Sequence, residues 1–155
     1  MRDSPYRLVP VAIDKIQYLA RSANLLRNPY AVALEHALER LITILEGRHQ
    51  RRVVVIAERR GKREDADLQE SFQRLVSLGT SAVRPERVQA ITWTLTFVPK
   101  QMNCIGHQIA DLAAAPIGSH VLNVLRNRQT NDRAYDIIRN KMDIPTLEIL
   151  PGKET

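Results

Sequence analysis

Apolar and polar positions along this chain fall into blocks whose period switches between about two and about 3.6 residues, so strands and helices are expected to alternate. Residues 6–13 (YRLVPVAI) are short and apolar between Pro5 and Asp14 and predict a strand, which Pro10 assigns to an edge or a bulge because it has no N–H to give a ladder. Asn28-Pro29 then opens a helical pattern in which Ala33, Ala37, Leu38, Leu41 and Leu45 recur, ending near Gly47. Residues 53–57 (VVVIA) are apolar and mostly β-branched without alternation, the pattern of a strand covered on both faces. Residues 64–78 predict a helix with Glu64, Asp65 and Asp67 at its start and Gly79 as its stop, and a loop is expected around Pro85. Residues 91–98 (ITWTLTFV) alternate as a half-exposed strand does. Residues 103–125 form a long helix that Pro116 should kink or split, followed by a short helix near 131–141 and an extended piece at 146–150. The order β-α-β-α-β-α-α-β predicts an α/β fold in a single domain spanning residues 1–155.

Composition narrows the class. Forty-four per cent hydrophobic and 26% charged residues, with no low-complexity tract, describe a globular chain with a core. The single cysteine, Cys104, excludes an internal disulfide and has no clustered His or Cys at zinc-ligand spacing, which suits a reducing compartment. Charges and a proline interrupt the N-terminal apolar stretch, so it does not read as a signal peptide, and no apolar run approaches a membrane span. A cytoplasmic location is the expectation. A net charge of +6 favours polyanionic partners, and residues 48–63 concentrate it, with seven positive side chains against Glu58 alone. That run reads either as a solvated strand-end rim or as a phosphate-contacting patch.

Three side chains are candidates for chemistry. Glu58 ends the apolar strand, and groups beyond the carboxyl ends of strands in α/β sheets are well placed for a metal or a reacting water; the alternative is an ordinary surface charge paired with Arg59 or Arg60. Asp111 lies in IGHQIADLAAAPIG, on a helix expected to bury Ile105, Ile109, Leu112 and Ile117 and to carry a small or polar stripe of His107, Gln108, Ala114, Ala115 and Gly118 that leaves room for a ligand. Its alternative is a solvent-facing Asp. His107, four residues before Asp111, shares its face but has no HExxH context. No Walker loop, GxGxxG or GxSxG is present, and the aromatics are not interleaved with the basic residues, which argues against a base-stacking platform.

Together these segments resemble a known family. Strand, then Glu58-Arg59-Arg60-Gly61-Lys62-Arg63-Glu64-Asp65, then FVPK and NxIGxQxADL, is similar to the domain-of-unknown-function family 3800, and IDK (13–15), NPY (28–30) and Glu39-Arg40 with Leu41 fit the same pattern. The resemblance implies a three-layer, ribonuclease H-like fold that gathers carboxylates around Mg²⁺ or Mn²⁺ for phosphodiester hydrolysis of DNA or RNA. Carried onto this chain, it makes Glu58 and Asp111 the catalytic carboxylates and Glu58, Asp111 and Asp65 the metal ligands. Arg60 and Lys62, flanked by Arg59 and Arg63, would hold phosphate. His107 stands where the family pattern has an aliphatic residue and is left out of the ligand set.

The chain departs from the pattern at its beginning. Family members open with a strand ending in a YxDESG-like segment, and neither Asp3 nor Asp14 has that context, so the first two strands of the fold and one metal-binding Asp are expected to be missing. Three functional readings follow: a metal-dependent nuclease with an incomplete acidic site, a basic nucleic-acid-binding or interaction protein without catalysis, and a non-functional piece of a longer reading frame. An uncovered sheet edge is also expected, with marginal stability and self-association as its consequence.

Overall fold

In the computed structural model the chain is described over residues 6–21, 28–129, 132–142 and 147–151. The fold is mixed α/β and divides into two compact units, one formed by residues 30–104 and the other by residues 1–29 with 105–155. Asp3, and the outer ends of the last two expected elements at Asn131 and Thr146, lie outside the described residues.

The first unit is an α/β layer. β1, described below, belongs to the other unit; here β2 (Arg52–Glu58) and β3 (Thr92–Val98) pair in parallel from Arg52↔Thr92 to Glu58↔Val98. Helices α2 (Pro29–Gly47) and α3 (Lys62–Leu78) supply the cover, with the short α4 (Pro85–Gln89) leading into β3. Pro29 occupies the first turn of α2, where its missing N–H costs nothing. The helix then buries Val32, Glu35, Leu38, Ile42 and Leu45, spaced three or four apart as one stripe. Leu38 joins Phe72 and Leu75 in one core cluster, against which Val55, Trp93 and Leu95 pack, while Ile42 and Leu45 join Val83, Val88 and Ile91 in another. Phe72 meets Trp93 edge to face at 6.1 Å, and the indole N–H of Trp93 donates to the Val88 carbonyl at 2.9 Å. Gly79 closes α3 with φ of 78°, donating its N–H to the Leu75 carbonyl; a Cβ there would stand 2.5 Å from the Val83 carbonyl oxygen. The expected loop at Pro85 is therefore partly helical, with Val88 of α4 filling the core.

The expectation that 53–57 is covered on both faces is not met. Val53, Val55 and Ala57 turn toward the helices, but Val54 is 63% and Ile56 46% exposed, beside the exposed Thr92, Thr94 and Thr96 of β3. β-branched residues satisfy strand sterics on either face, so the uniform run could not report that only one face is packed.

In the second unit β1 (Val11–Ile13) pairs in parallel with β4 (Glu148–Leu150), and an isolated bridge joins Leu8 to Met142 on the other side of Pro10. The apolar run thus becomes two short contacts separated by the residue that cannot donate, and its ladder partner is the C-terminal strand rather than β2. Asp14 ends β1 and caps α1 (Lys15–Arg21), its Oδ1 accepting from the N–H groups of Ile16 at 3.0 Å and Gln17 at 3.1 Å. α5 (Ile105–Leu125) runs unbroken through Pro116. Of the expected kink or split, the split does not occur, since the helix is continuous on both sides of Pro116. Asp132 caps α6 (Arg133–Arg139) through the N–H groups of Ala134 and Tyr135, and Tyr135 stacks on His120 of α5 with ring centroids 3.6 Å apart. Among the described residues no helix is long and apolar enough to cross a membrane.

Candidate phosphate-binding turn

The segment that joins β2 to α3 collects most of the residues singled out in the sequence. The β2–β3 ladder continues one residue past Glu58, as the Arg59 N–H donates to the Val98 carbonyl at 2.9 Å. The chain then reverses through Gly61 into α3. Asp65 closes this turn: its Oδ1 accepts from the Arg60 N–H at 3.0 Å, its Oδ2 lies 3.7 Å from Arg59 Nε, and its own N–H donates to the Gly61 carbonyl at 2.9 Å. Glu64 folds back over the glycine, where a Cβ would stand 2.7 Å from its Oε2, so the lack of a side chain at Gly61 leaves space for that carboxylate. Both acids sit in the first turn of α3, where they complement the helix macrodipole.

With Glu64 and Asp65 turned toward the backbone, the cations face outward. Arg59, Arg60, Lys62 and Arg63 are all exposed. The Arg60 guanidinium stands 5.9 Å from the ring centroid of Tyr30, at the start of α2 and 60% exposed. Glu58 is half-buried and, by the alternation of the strand, belongs to the same face as Arg52, Val54 and Ile56.

The basic run of residues 48–63 is not one patch. Strand β2 separates Arg48, Arg51 and Arg52 from the four cations of the turn by about 20 Å, the length of seven extended residues. The group at the amino end follows the C-terminus of α2, where cations complement the helix dipole, and it lies beside a bidentate pair in which Arg87 holds Glu46 at 2.6 and 3.0 Å. This end fits the solvated-rim reading, and the carboxyl end is the candidate site.

Asp111 belongs to the other unit, on α5, where it is exposed. The helix is oriented differently from the expectation: Ile105 and Leu112 are 73% and 64% exposed, whereas Ile109, Ala113, Ile117 and Val121 turn inward with Gly118. They line an apolar groove of about 750 Å³ against residues 6–13. A helix apolar on almost every side does not announce which side will be covered, which is why periodicity misassigned it.

The carboxylates can be tested as a metal site within each unit. Hard divalent cations need several oxygen ligands that are free to turn toward the ion. In the β2–α3 turn, Asp65 is already engaged by Arg59 and by the Arg60 N–H, which leaves Glu58 and the exposed Glu64. Among the described residues no three His, Cys, Asp or Glu side chains come together to hold a metal ion. The donor set of this turn does not fit Mg²⁺ or Mn²⁺.

Two structural roles escaped sequence reasoning. Glu35, 5% exposed on the apolar stripe of α2, accepts from the Ser81 N–H at 2.8 Å, and Glu39 accepts from Ser81 Oγ and the Ala82 N–H, each at 3.2 Å. Together they hold the loop between α3 and α4. The available signal was a carboxylate three residues from Val32 and Leu38, on a face that is otherwise apolar. The pairing of Tyr30 with Arg60 had no local signal at all. Comparison with known proteins gives no match at a significant level to a family model, a curated protein or a solved structure.

Proposed function

We propose that this chain binds nucleic acid through backbone phosphates at the turn between β2 and α3. The observation that carries the reading is the outward display of Arg59, Arg60, Lys62 and Arg63 at the carboxyl end of a parallel strand, with Asp65 fixing the backbone beneath them. Arginine presents a planar fork that matches phosphate oxygens, and each phosphate neutralised releases counterions. The acids nearby keep the affinity modest. Labelled DNA and RNA titrated at several salt concentrations test this: affinity is expected to fall as salt rises, with a logarithmic slope of about −3 for duplex DNA, since three or four cations take part. Replacing Lys62 and Arg63 with Ala should reduce that slope by about 2. Binding indifferent to salt, or unchanged in the double variant, removes the turn as the site.

A second reading extends the first. Glu58 lies at the strand end beside these cations, where a ribonuclease H-like protein of the domain-of-unknown-function family 3800 would hold a catalytic carboxylate. On that reading the chain is nuclease-like, with Glu58 and Asp65 of this turn, and Asp111 of the other unit, each a candidate acidic residue, while the donor set of the turn by itself does not fit the Mg²⁺ or Mn²⁺ that the resemblance implies. Because Asp65 is engaged in the turn, little or no cleavage of DNA or RNA is expected with either ion. Robust cleavage abolished by both Glu58→Gln and Asp111→Asn would overturn that expectation and establish the full nuclease reading.

A further inference from the structure

An aromatic residue is exposed beside the cationic turn. Tyr30 and Arg60 are thirty positions apart in sequence, and the fold of one unit sets the guanidinium above the ring at 5.9 Å while leaving Tyr30 60% exposed. At that separation the two make a loose contact near the outer limit of cation–π attraction, and Tyr30 as a whole residue remains 60% exposed. Arg59, Lys62 and Arg63 are sequence neighbours of Arg60 in the turn, and all three are exposed.

We infer that the site takes single-stranded nucleic acid, with one nucleobase stacked on Tyr30 and the adjoining phosphates on the cations of the turn. The inference rests on the phosphate-binding reading above and deepens it. In a duplex the base faces are hidden in the stack and only the backbone is offered, so Tyr30 would add nothing to duplex binding. In a single strand every base has an accessible π-face, and stacking on an aromatic ring tolerates any sequence. Arg60 contributes twice, since its planar guanidinium lies over the ring and its charge adds to the field along the backbone.

The probes are fluorescently labelled dodecamers, single-stranded DNA and RNA and the matching duplexes, titrated at low salt against the full chain and its Tyr30→Leu and Tyr30→Phe variants. Circular dichroism melts check that both variants fold; Tyr30 is at an exposed helix start, where neither change removes core packing. Single strands are expected to bind more tightly than duplexes. Tyr30→Leu should weaken single-strand binding about tenfold while leaving duplex binding and the salt slope unchanged, and Tyr30→Phe should retain wild-type affinity because the ring face is kept. Equal binding of single strands and duplexes, no effect of Tyr30→Leu, or equal loss in both variants overturns the stacking role and leaves phosphate binding standing. Absence of binding to every probe overturns both.

Discussion

At the scale of single residues, five carboxylates hold backbone N–H groups. Asp65 accepts from the Arg60 N–H, Asp14 and Asp132 cap helices, and Glu35 and Glu39 fix the loop at Ser81. The pair of Glu46 and Arg87 has a measurable consequence in pH. The hydrogen bond from Arg87 holds the Glu46 carboxyl below its ordinary value of 4.5, with the charge of Arg87 acting in the same direction. A carboxylate depressed in the folded state adds stability above its unfolded value, and that contribution is lost as pH falls through the lower folded value. Wild-type protein should therefore lose more stability than Glu46→Gln between pH 7 and pH 3, measured as the urea midpoint at low salt. The gap should narrow in high salt because both side chains are solvated. Equal losses in the two proteins would show that the pair is neutral. The partners of Glu35, Glu39 and Glu46 were not legible in sequence, because they lie across the fold: Glu46 and Arg87 are on different helices, and only the α2–α4 arrangement brings them to 2.6 Å.

Elements were more legible than partners. Pro29, Gly79 and the spacing of Leu38, Ile42 and Leu45 determine where α2 and α3 run, since caps and apolar stripes are local physics. The same reasoning allowed a kink or a split at Pro116, and the helix is not split there, because the rule concerns a cost and not a prohibition. Proline in a helix interior is about 3 kcal/mol less favourable than alanine, and a well-packed helix can absorb that. Pro116→Ala should accordingly raise stability by about 1–3 kcal/mol, with little change in helix content, since α5 already runs through this position. Far-UV circular dichroism during thermal unfolding measures both quantities. A lower melting temperature would mean that Pro116 makes packing contacts worth more than the hydrogen bond it forfeits.

For the whole molecule, the β2–β3 pair leaves apolar side chains exposed on one face. Parallel strands are ordinarily covered on both faces, and here Val54 and Ile56 are exposed beside three threonines. Arg52 and Glu58 bracket that face at opposite ends, so a second copy running antiparallel over it would set each charge against its opposite. Two strands of seven residues offer roughly 200 Å², well short of the roughly 800 Å² per partner of a stable interface, so association should be weak. Size-exclusion chromatography with light scattering should show mass rising with concentration, and the double variant Val54→Thr, Ile56→Thr should shift it back to monomer. A wild-type chain that stays monomeric throughout would end the expectation of self-association drawn from the sequence.

What the sequence alone determined is the order of the four strands and of helices α2, α3, α5 and α6, because period, caps and turn residues act over a few positions; α1 and α4 were not read from it. It also marked the cationic turn, whose residues are contiguous from Arg59 to Arg63. Tertiary structure decided what those pieces face. It divided one basic run into two ends of a strand, turned Ile105 and Leu112 of α5 outward and gave β1 a C-terminal partner. It also brought Tyr30 to Arg60 and committed Asp65 to the backbone of its own turn. Each of these depends on which surfaces are buried together, a long-range free-energy balance that local pattern does not encode.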